Sequence, residues 1–236
     1  MKKLALIWCS RSASQPLQAS LLNVFRSEGQ QWETIEPGED DFVRRRAHYD
    51  GYVISGSPRS VIDDADKPFV RNLLDLIRAV DERSSAPMIG VCFGAQALAA
   101  ALGGSVSRNP DGCFKLGSET LRWLPQPEPS RWPELAGDVV LGQSHGECIS
   151  RLPPGSELLA ESPTAACEIF LVRRRFLGIQ GHPELDNALL RQTFLPAHRA
   201  RFDEQAWQQV ERDAAQPLTP QPVAAIGRRL LRDGRL

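Results

Sequence analysis

The sequence predicts an α/β fold: a mostly parallel central sheet wrapped by helices, with antiparallel strands added to it. Three observations carry this expectation. Short apolar, β-compatible runs alternate with segments of helical spacing through residues 4–102. Over residues 104–172 the texture changes to short strands and turns, which suits antiparallel additions better than further strand–helix–strand units. Between the two, the run 86–102 passes from strand to helix across Gly90-Val91-Cys92-Phe93-Gly94, leaving no room for an ordinary loop.

Residues 4–8, Leu-Ala-Leu-Ile-Trp, form a continuous apolar run, as in a strand covered on both faces. The two lysines ahead of it imitate a signal peptide. The run is shorter than an apolar signal core of about 7–15 residues, however, and meets Ser10 and Arg11 at once. Residues 16–27 place Leu17, Leu21, Leu22 and Phe25 at helical spacing. A second strand is expected at 32–35. A third, at 49–54, leads into the small-residue loop Ser55-Gly56-Ser57-Pro58-Arg59-Ser60. The helix at 68–80 carries Phe69, Leu73, Leu76, Ile77 and Val80 on one side, and strand 87–91 and helix 95–102 flank Cys92. In parallel sheets reactive groups gather at the carboxyl ends of strands, so the 55–60 loop and the Cys92 turn should open on one edge.

Further strands are expected at 114–123, 139–141, 157–160, 166–173 and 176–180, with Pro125-Gln126-Pro127-Glu128-Pro129 as a stiff surface connection. Helices follow at 189–194, 201–214 and 222–231. The arginines of the last (Arg228, Arg229, Arg232, Arg235) are expected in solvent, complementing a helix C-terminus. The chain reads as one domain over 1–236, with a catalytic core at about 4–190 and a helical extension at about 189–236.

Composition excludes several classes of function. A formal net charge of −1 over 236 residues offers no basic excess for nucleic acid. No apolar run approaches the roughly 18–20 residues of a membrane span. Five cysteines, an odd number without a Cys-x-x-Cys pair, fit a reducing compartment, and a cytoplasmic protein is expected. His145 and His182 could be read as a metal pair, but no further ligand cluster supports that; neither metal nor organic cofactor is expected.

The chemistry converges on the glycine-flanked turn. A thiol there meets unpaired N–H groups and the positive end of a helix dipole, which favour thiolate and can hold an oxyanion. The alternative is a buried structural cysteine. His182 and Glu184 stand at i and i+2 just past a strand, so an imidazole oriented by a carboxylate could serve Cys92 as base. A backbone N–H at Gly56-Ser57 could act as oxyanion donor beside that of Phe93.

Four motifs occur in order: Ser55-Gly56-Ser57-Pro58, Gly90-Val91-Cys92-Phe93-Gly94-Ala95-Gln96, Ser144-His145-Gly146-Glu147 and Gly178-Ile179-Gln180-Gly181-His182-Pro183-Glu184. Together they resemble the class I (triad) glutamine amidotransferase family, and most of all the amidotransferase domain of GMP synthetase and its stand-alone relatives. The resemblance spans about residues 4–190 and implies a flavodoxin-like fold. It implies Cys92 as nucleophile on the glutamine side-chain amide, with a γ-glutamyl thioester and release of ammonia. His182 becomes the base and then the acid, with Glu184 its orienting partner. Ser57 and Phe93, with Gly56, form the oxyanion hole, and Gln96 and Ser144, His145, Gly146 and Glu147 hold the glutamyl α-groups.

Departures from the family pattern matter too. Ser57 stands where synthetase-linked members commonly have Gly, so this loop could need to rearrange. Gly181 replaces a bulky aromatic residue, which could widen the site toward γ-glutamyl amides or peptides. No ATP-pyrophosphatase domain is expected alongside this one, so released ammonia would lack an attached acceptor; a synthetase or acceptor subunit is a candidate partner, as is a second copy in a homodimer. A regulatory or binding subunit with an idle triad is the competing reading. A cysteine protease is disfavoured by Gln96 and the Ser144–Gly146 segment, which suit a free amino-acid end. His48 and His198 are expected at the surface or satisfied in part-buried positions, and Cys113, Cys148 and Cys167 as small hydrophobes.

Overall fold

The computed structural model describes residues 1–10, 15–39, 41–42, 48–126, 129–135 and 137–236; Pro127 and Glu128 of the proline-rich connection lie outside these. β1 (Lys2–Ile7) and the residues after it alternate: Leu4, Leu6 and Trp8 enter the core on one face of the sheet, Ala5, Ile7 and Cys9 that on the other. α1 (Gln15–Phe25) buries Leu21 and Phe25, and β2 (Gln30–Ile35) then pairs parallel to β1. β3 (Gly51–Ile54) takes the other side of β1. α2 (Pro68–Arg83) starts on a proline, whose missing N–H costs nothing in a first turn, and buries Val70, Leu73, Leu76, Ile77 and Val80. β4 (Met88–Val91) runs through Cys92 into α3 (Phe93–Ala101).

Seven strands follow: β5 (Ser105–Arg108), β6 (Lys115–Trp123), β7 (Val139–His145), β8 (Glu147–Arg151), β9 (Ser156–Glu161), β10 (Ile169–Val172) and β11 (Phe176–Ile179). The main sheet has the order β2-β1-β3-β4-β11-β10-β9-β6-β7. β2 through β11 in that order are mutually parallel, and from β11 onward every pairing is antiparallel. The expected mixture of parallel core and antiparallel additions is therefore present. β5 and β8, which were not anticipated, form a separate antiparallel ribbon. Ser-Val-Ser-Arg carries a single apolar residue and offers no period to read.

The C-terminal helices cover both the sheet and one another. Residues 187–198 form a helical run whose middle, Leu190–Phe194, is a π turn; Pro196 has no N–H to give to the turn before it, and the chain widens there. α4 (Glu204–Asp213) begins at Glu204 rather than 201 because the Asp203 side chain caps it, accepting from Ala206 N–H at 2.8 Å. α5 (Gln221–Asp233) packs Val223, Ile226, Leu230 and Leu231 on the α1 face of the sheet. Of its arginines only Arg232 and Arg235 stand in solvent. Arg228 donates to Val24 O at 2.8 Å and Arg229 pairs with Glu134 at 2.9 Å, so these two fasten the helix to its neighbours. Among the described residues no helix is long and apolar enough to cross a membrane.

Candidate active site

The register of three adjacent strands assembles the site. Ile54 on β3 lies opposite Gly90 on β4, and Ile179 on β11 opposite Val91, so the three strands end together. Their next residues, Ser55–Ser57, Cys92 and Gln180–His182, therefore emerge at one edge, as anticipated. Cys92 N–H donates to Ile179 O at 2.8 Å, and His182 N–H donates to Gly142 O on β7 at 2.9 Å. These bonds fix both backbones.

Cys92 has φ 50° and ψ −107°, a left-handed-side conformation that a side chain adopts only at a cost of about 1–3 kcal/mol. The flanking glycines make this turn feasible. A Cβ at Gly90 would strike the Gly94 carbonyl, and one at Gly94 would strike Ile54 O. The thiol sits at the mouth of α3, where Phe93 N–H has no helical acceptor by position. Its sulfur lies 3.8 Å from Ser144 O and 3.9 Å from Gln180 Nε2.

His182 Nδ1 bonds Glu184 Oε1 at 2.7 Å, both side chains being buried. The chain turns after His182, with Leu185 N–H donating to His182 O, so the pair closes across a turn rather than along an extended strand. Burial alone would favour a neutral ring; the charges of Glu184 and Cys92 outweigh it and raise the His182 pKa to about 10. Among the described residues His182 Nε2 has no fully formed hydrogen bond. A Cβ at Gly56 would lie 3.1 Å from His182 Cε1 and 3.7 Å from Cys92 Cβ, so the loop packs against both side chains and only glycine leaves them room there.

In the 55–60 loop, Ser55 Oγ accepts from Cys9 N–H at 2.8 Å and donates to Gly56 O at 3.0 Å. Peptide planarity turns Ser57 N–H the opposite way. The Ser57 hydroxyl donates to Cys9 O at 2.8 Å and so braces the loop against β1.

The Ser144–Glu147 segment is the junction of β7 and β8. His145 Nδ1 contacts Asn109 Oδ1 at 3.0 Å, and the Asn109 amide donates to Cys113 O and His145 O, which makes Oδ1 the acceptor and His145 Nδ1 the donor. Burial first, then the His182 charge, drives the His145 pKa down to about 3. It is a neutral ring whose buried Nε2 carries a lone pair with no fully formed hydrogen bond among the described residues. Gln96 spends its N–H donors on Glu147 O (2.8 Å) and Gln180 Oε1 (3.4 Å). The Glu147 carboxylate accepts from the Ser60 hydroxyl at 2.6 Å and from Arg108 at 2.7 Å; Arg108 also pairs with Asp63.

All eleven residues singled out in the sequence reach this edge, and Gly56, Ser57, Cys92, Gln96, Ser144–Glu147, His182 and Glu184 line one cavity of about 450 Å³. Gly181 corrects an expectation. It faces Leu141 and Gln143, where a Cβ would come within 3.0 and 2.9 Å, and does not line the cavity. The site's width comes from elsewhere: Phe114, Thr193, Phe194, Ala197, His198 and Arg201 form a wall that sequence reading missed. His198, expected at the surface or in a satisfied position, belongs to this wall; burial and the charges of Arg201 and His182 lower its pKa. Cys148 is buried on β8 away from the cavity, and Cys113 is exposed. Among the described residues no group of three or more His, Cys, Asp or Glu side chains could hold a metal ion.

The family profile described as Glutamine amidotransferase class-I matches residues 15–198. The chain is 33% identical over 178 residues to gamma-glutamyl peptidase 4 of Arabidopsis thaliana, covering 71% of this chain and 69% of that protein. It is 34% identical over 136 residues to the GMP synthase (glutamine-hydrolyzing) of Porphyromonas gingivalis, covering 57% of this chain but only 25% of that one. In three dimensions it resembles a glutamine amidotransferase from Methylobacillus flagellatus, with a TM-score of 0.76 at 21% identity over 100% of this chain and 96% of the other.

Proposed function

Because the chain belongs to the class I glutamine amidotransferase family, we propose that it hydrolyses the γ-amide of glutamine or of a γ-glutamyl conjugate through a γ-glutamyl thioester on Cys92. The observation that carries this reading is the strained Cys92 turn beside a buried His182 that Cys92 and Glu184 both push toward its charged form, with Glu184 bonded to its Nδ1. The name of the gamma-glutamyl peptidase relatives supports including conjugates beside glutamine itself.

The sulfur of Cys92 attacks the amide carbon, forming C–S, while the carbonyl oxygen takes negative charge. Phe93 N–H at the start of α3 and the Gly56–Ser57 peptide stabilise that oxyanion, each donor supplying about 10²–10³ in rate. The tetrahedral species collapses by breaking C–N as His182 Nε2–H protonates the departing nitrogen, giving ammonia or an amine. Water then attacks the thioester with His182 as base, which releases glutamate and restores the thiol. Glu184 keeps Nδ1 protonated throughout.

The glutamyl end is held by acceptors. With its donors spent, Gln96 offers Oε1, and His145 Nε2 is a neutral lone pair. Both suit the α-ammonium. Glu147 completes that environment, its charge balanced by Arg108. The domain so used comprises the core at about 4–190 with the helical extension at about 189–236, and a synthetase-type acceptor subunit is the partner to which ammonia would pass.

Turnover of L-glutamine and a series of γ-glutamyl amides by the wild type, followed as glutamate released, tests the reading. Cys92→Ser is expected to abolish release from every substrate with an unchanged circular dichroism spectrum. Activity surviving that change would refute the nucleophile assignment.

A further inference from the structure

The cavity runs well past the reacting atoms, and chemistry fixes what its far end is for. His182 must protonate the departing nitrogen, so whatever that nitrogen carries leaves across the residues that cover His182. The first is Phe194, edge-on to the imidazole with ring centroids 5.1 Å apart. It is delivered there by the π turn Leu190–Phe194, and Ala197 follows along the same wall. Next comes Phe114, with His198 against its ring at 4.7 Å and the Arg201 guanidinium over it at 4.7 Å. Arg201 is exposed and makes no ion pair among the described residues. Arg108, also at the rim, is already neutralised by Glu147 and Asp63. Ammonia leaving from glutamine would fill none of this space, while about 450 Å³ lies within the roughly 300–1,000 Å³ of sites for larger ligands.

We propose that this wall is a leaving-group subsite for γ-glutamyl amino acids and short γ-glutamyl peptides. The amine component lays an apolar or aromatic side chain on Phe194 and Phe114 and pairs its carboxylate with Arg201, whose planar fork matches a carboxylate. The inference rests on the γ-glutamyl hydrolase reading above and adds the chemistry of the group released.

The test compares kcat/KM for γ-L-glutamyl-L-phenylalanine, for γ-L-glutamyl-phenethylamide (the same amine without the carboxylate) and for L-glutamine. The carboxylated conjugate is expected to exceed the phenethylamide by about fivefold or more, the range for a partly solvated charged pair. Arg201→Gln should bring the two conjugates level, and Arg201→Lys should restore part of the difference. Equal rates for both conjugates with the wild type, or an Arg201→Gln loss shared equally between them, would overturn the carboxylate pairing. A wild type that hydrolyses glutamine and neither conjugate refutes the subsite while the hydrolase reading stands. Hydrolysis of none of the three refutes that reading, and the subsite with it.

Discussion

A single residue, Glu184, decides the protonation of the site. One of its oxygens bonds His182, and the other is buried with no hydrogen-bond partner among the described residues, so among them the imidazole is the group that answers its charge. Burial pushes His182 toward neutrality, and Glu184 is the largest influence against it. Glu184→Gln keeps the shape and removes the charge. The His182 pKa then falls, imidazolium is lost at lower pH, and the alkaline limb of the kcat/KM profile moves to lower pH. A loss of about 10²–10⁴ in kcat/KM accompanies it, by comparison with neutralised triad carboxylates. A pH–rate profile checks this; an alkaline limb that stays in place would mean Glu184 does not tune His182. His145 shows the opposite outcome for the same residue type. With no carboxylate bonded to its ring among the described residues, burial and then the His182 charge keep it neutral.

At the scale of elements, legibility followed periodicity and spacing. α2 could be read because Val70, Leu73, Leu76, Ile77 and Val80 recur at helical intervals. The Cys92 turn could be read because only glycine fits against Gly94 and Ile54 when strand and helix meet so closely. That Cys92, His182 and Glu184 share one sheet edge was legible for the same local reason: each sits in a short motif just past a strand end. The outer wall was not. Phe114, Phe194 and Arg201 come from separate segments, and they share a cavity only because a π turn redirects residues 190–194 and α4 folds back beneath β6, with Val210 against Leu116. Neither event leaves a periodic trace. The docked Arg228 and Arg229 were misread because charge suggested solvent, whereas long side chains bury their stems and keep only the head polar. Gly181 was misread because its motif neighbours reach the cavity while its own Cα turns toward Leu141 and Gln143.

For the whole molecule, an acid away from the cavity links stability to pH. Glu168 is fully buried, accepting from the Ser162 hydroxyl at 2.7 Å and the Gln143 amide at 3.2 Å. Burial raises its pKa from 4.5 to about 7, with Glu119 adding to the rise and Ser162, Gln143 and Lys115 opposing it. The folded chain therefore holds a proton that the unfolded chain has released, and stability falls as pH rises through that window. The loss is on the order of 3 kcal/mol between the two values. Glu168→Gln removes this dependence, so the variant should gain on the wild type by a similar amount between pH 4.5 and pH 8 in urea unfolding. A difference between the two proteins that is the same at both pH values would contradict it.

Covalent trapping reads out whether the Cys92 sulfur is the nucleophile that attacks the glutamyl carbon. Intact-mass measurement after incubation with 6-diazo-5-oxo-L-norleucine, followed by peptide mapping, should show one adduct per chain on the peptide bearing Cys92. Cys92→Ser should carry none. A wild type that hydrolyses glutamine yet takes the label on another residue, or takes none at all, would contradict the account.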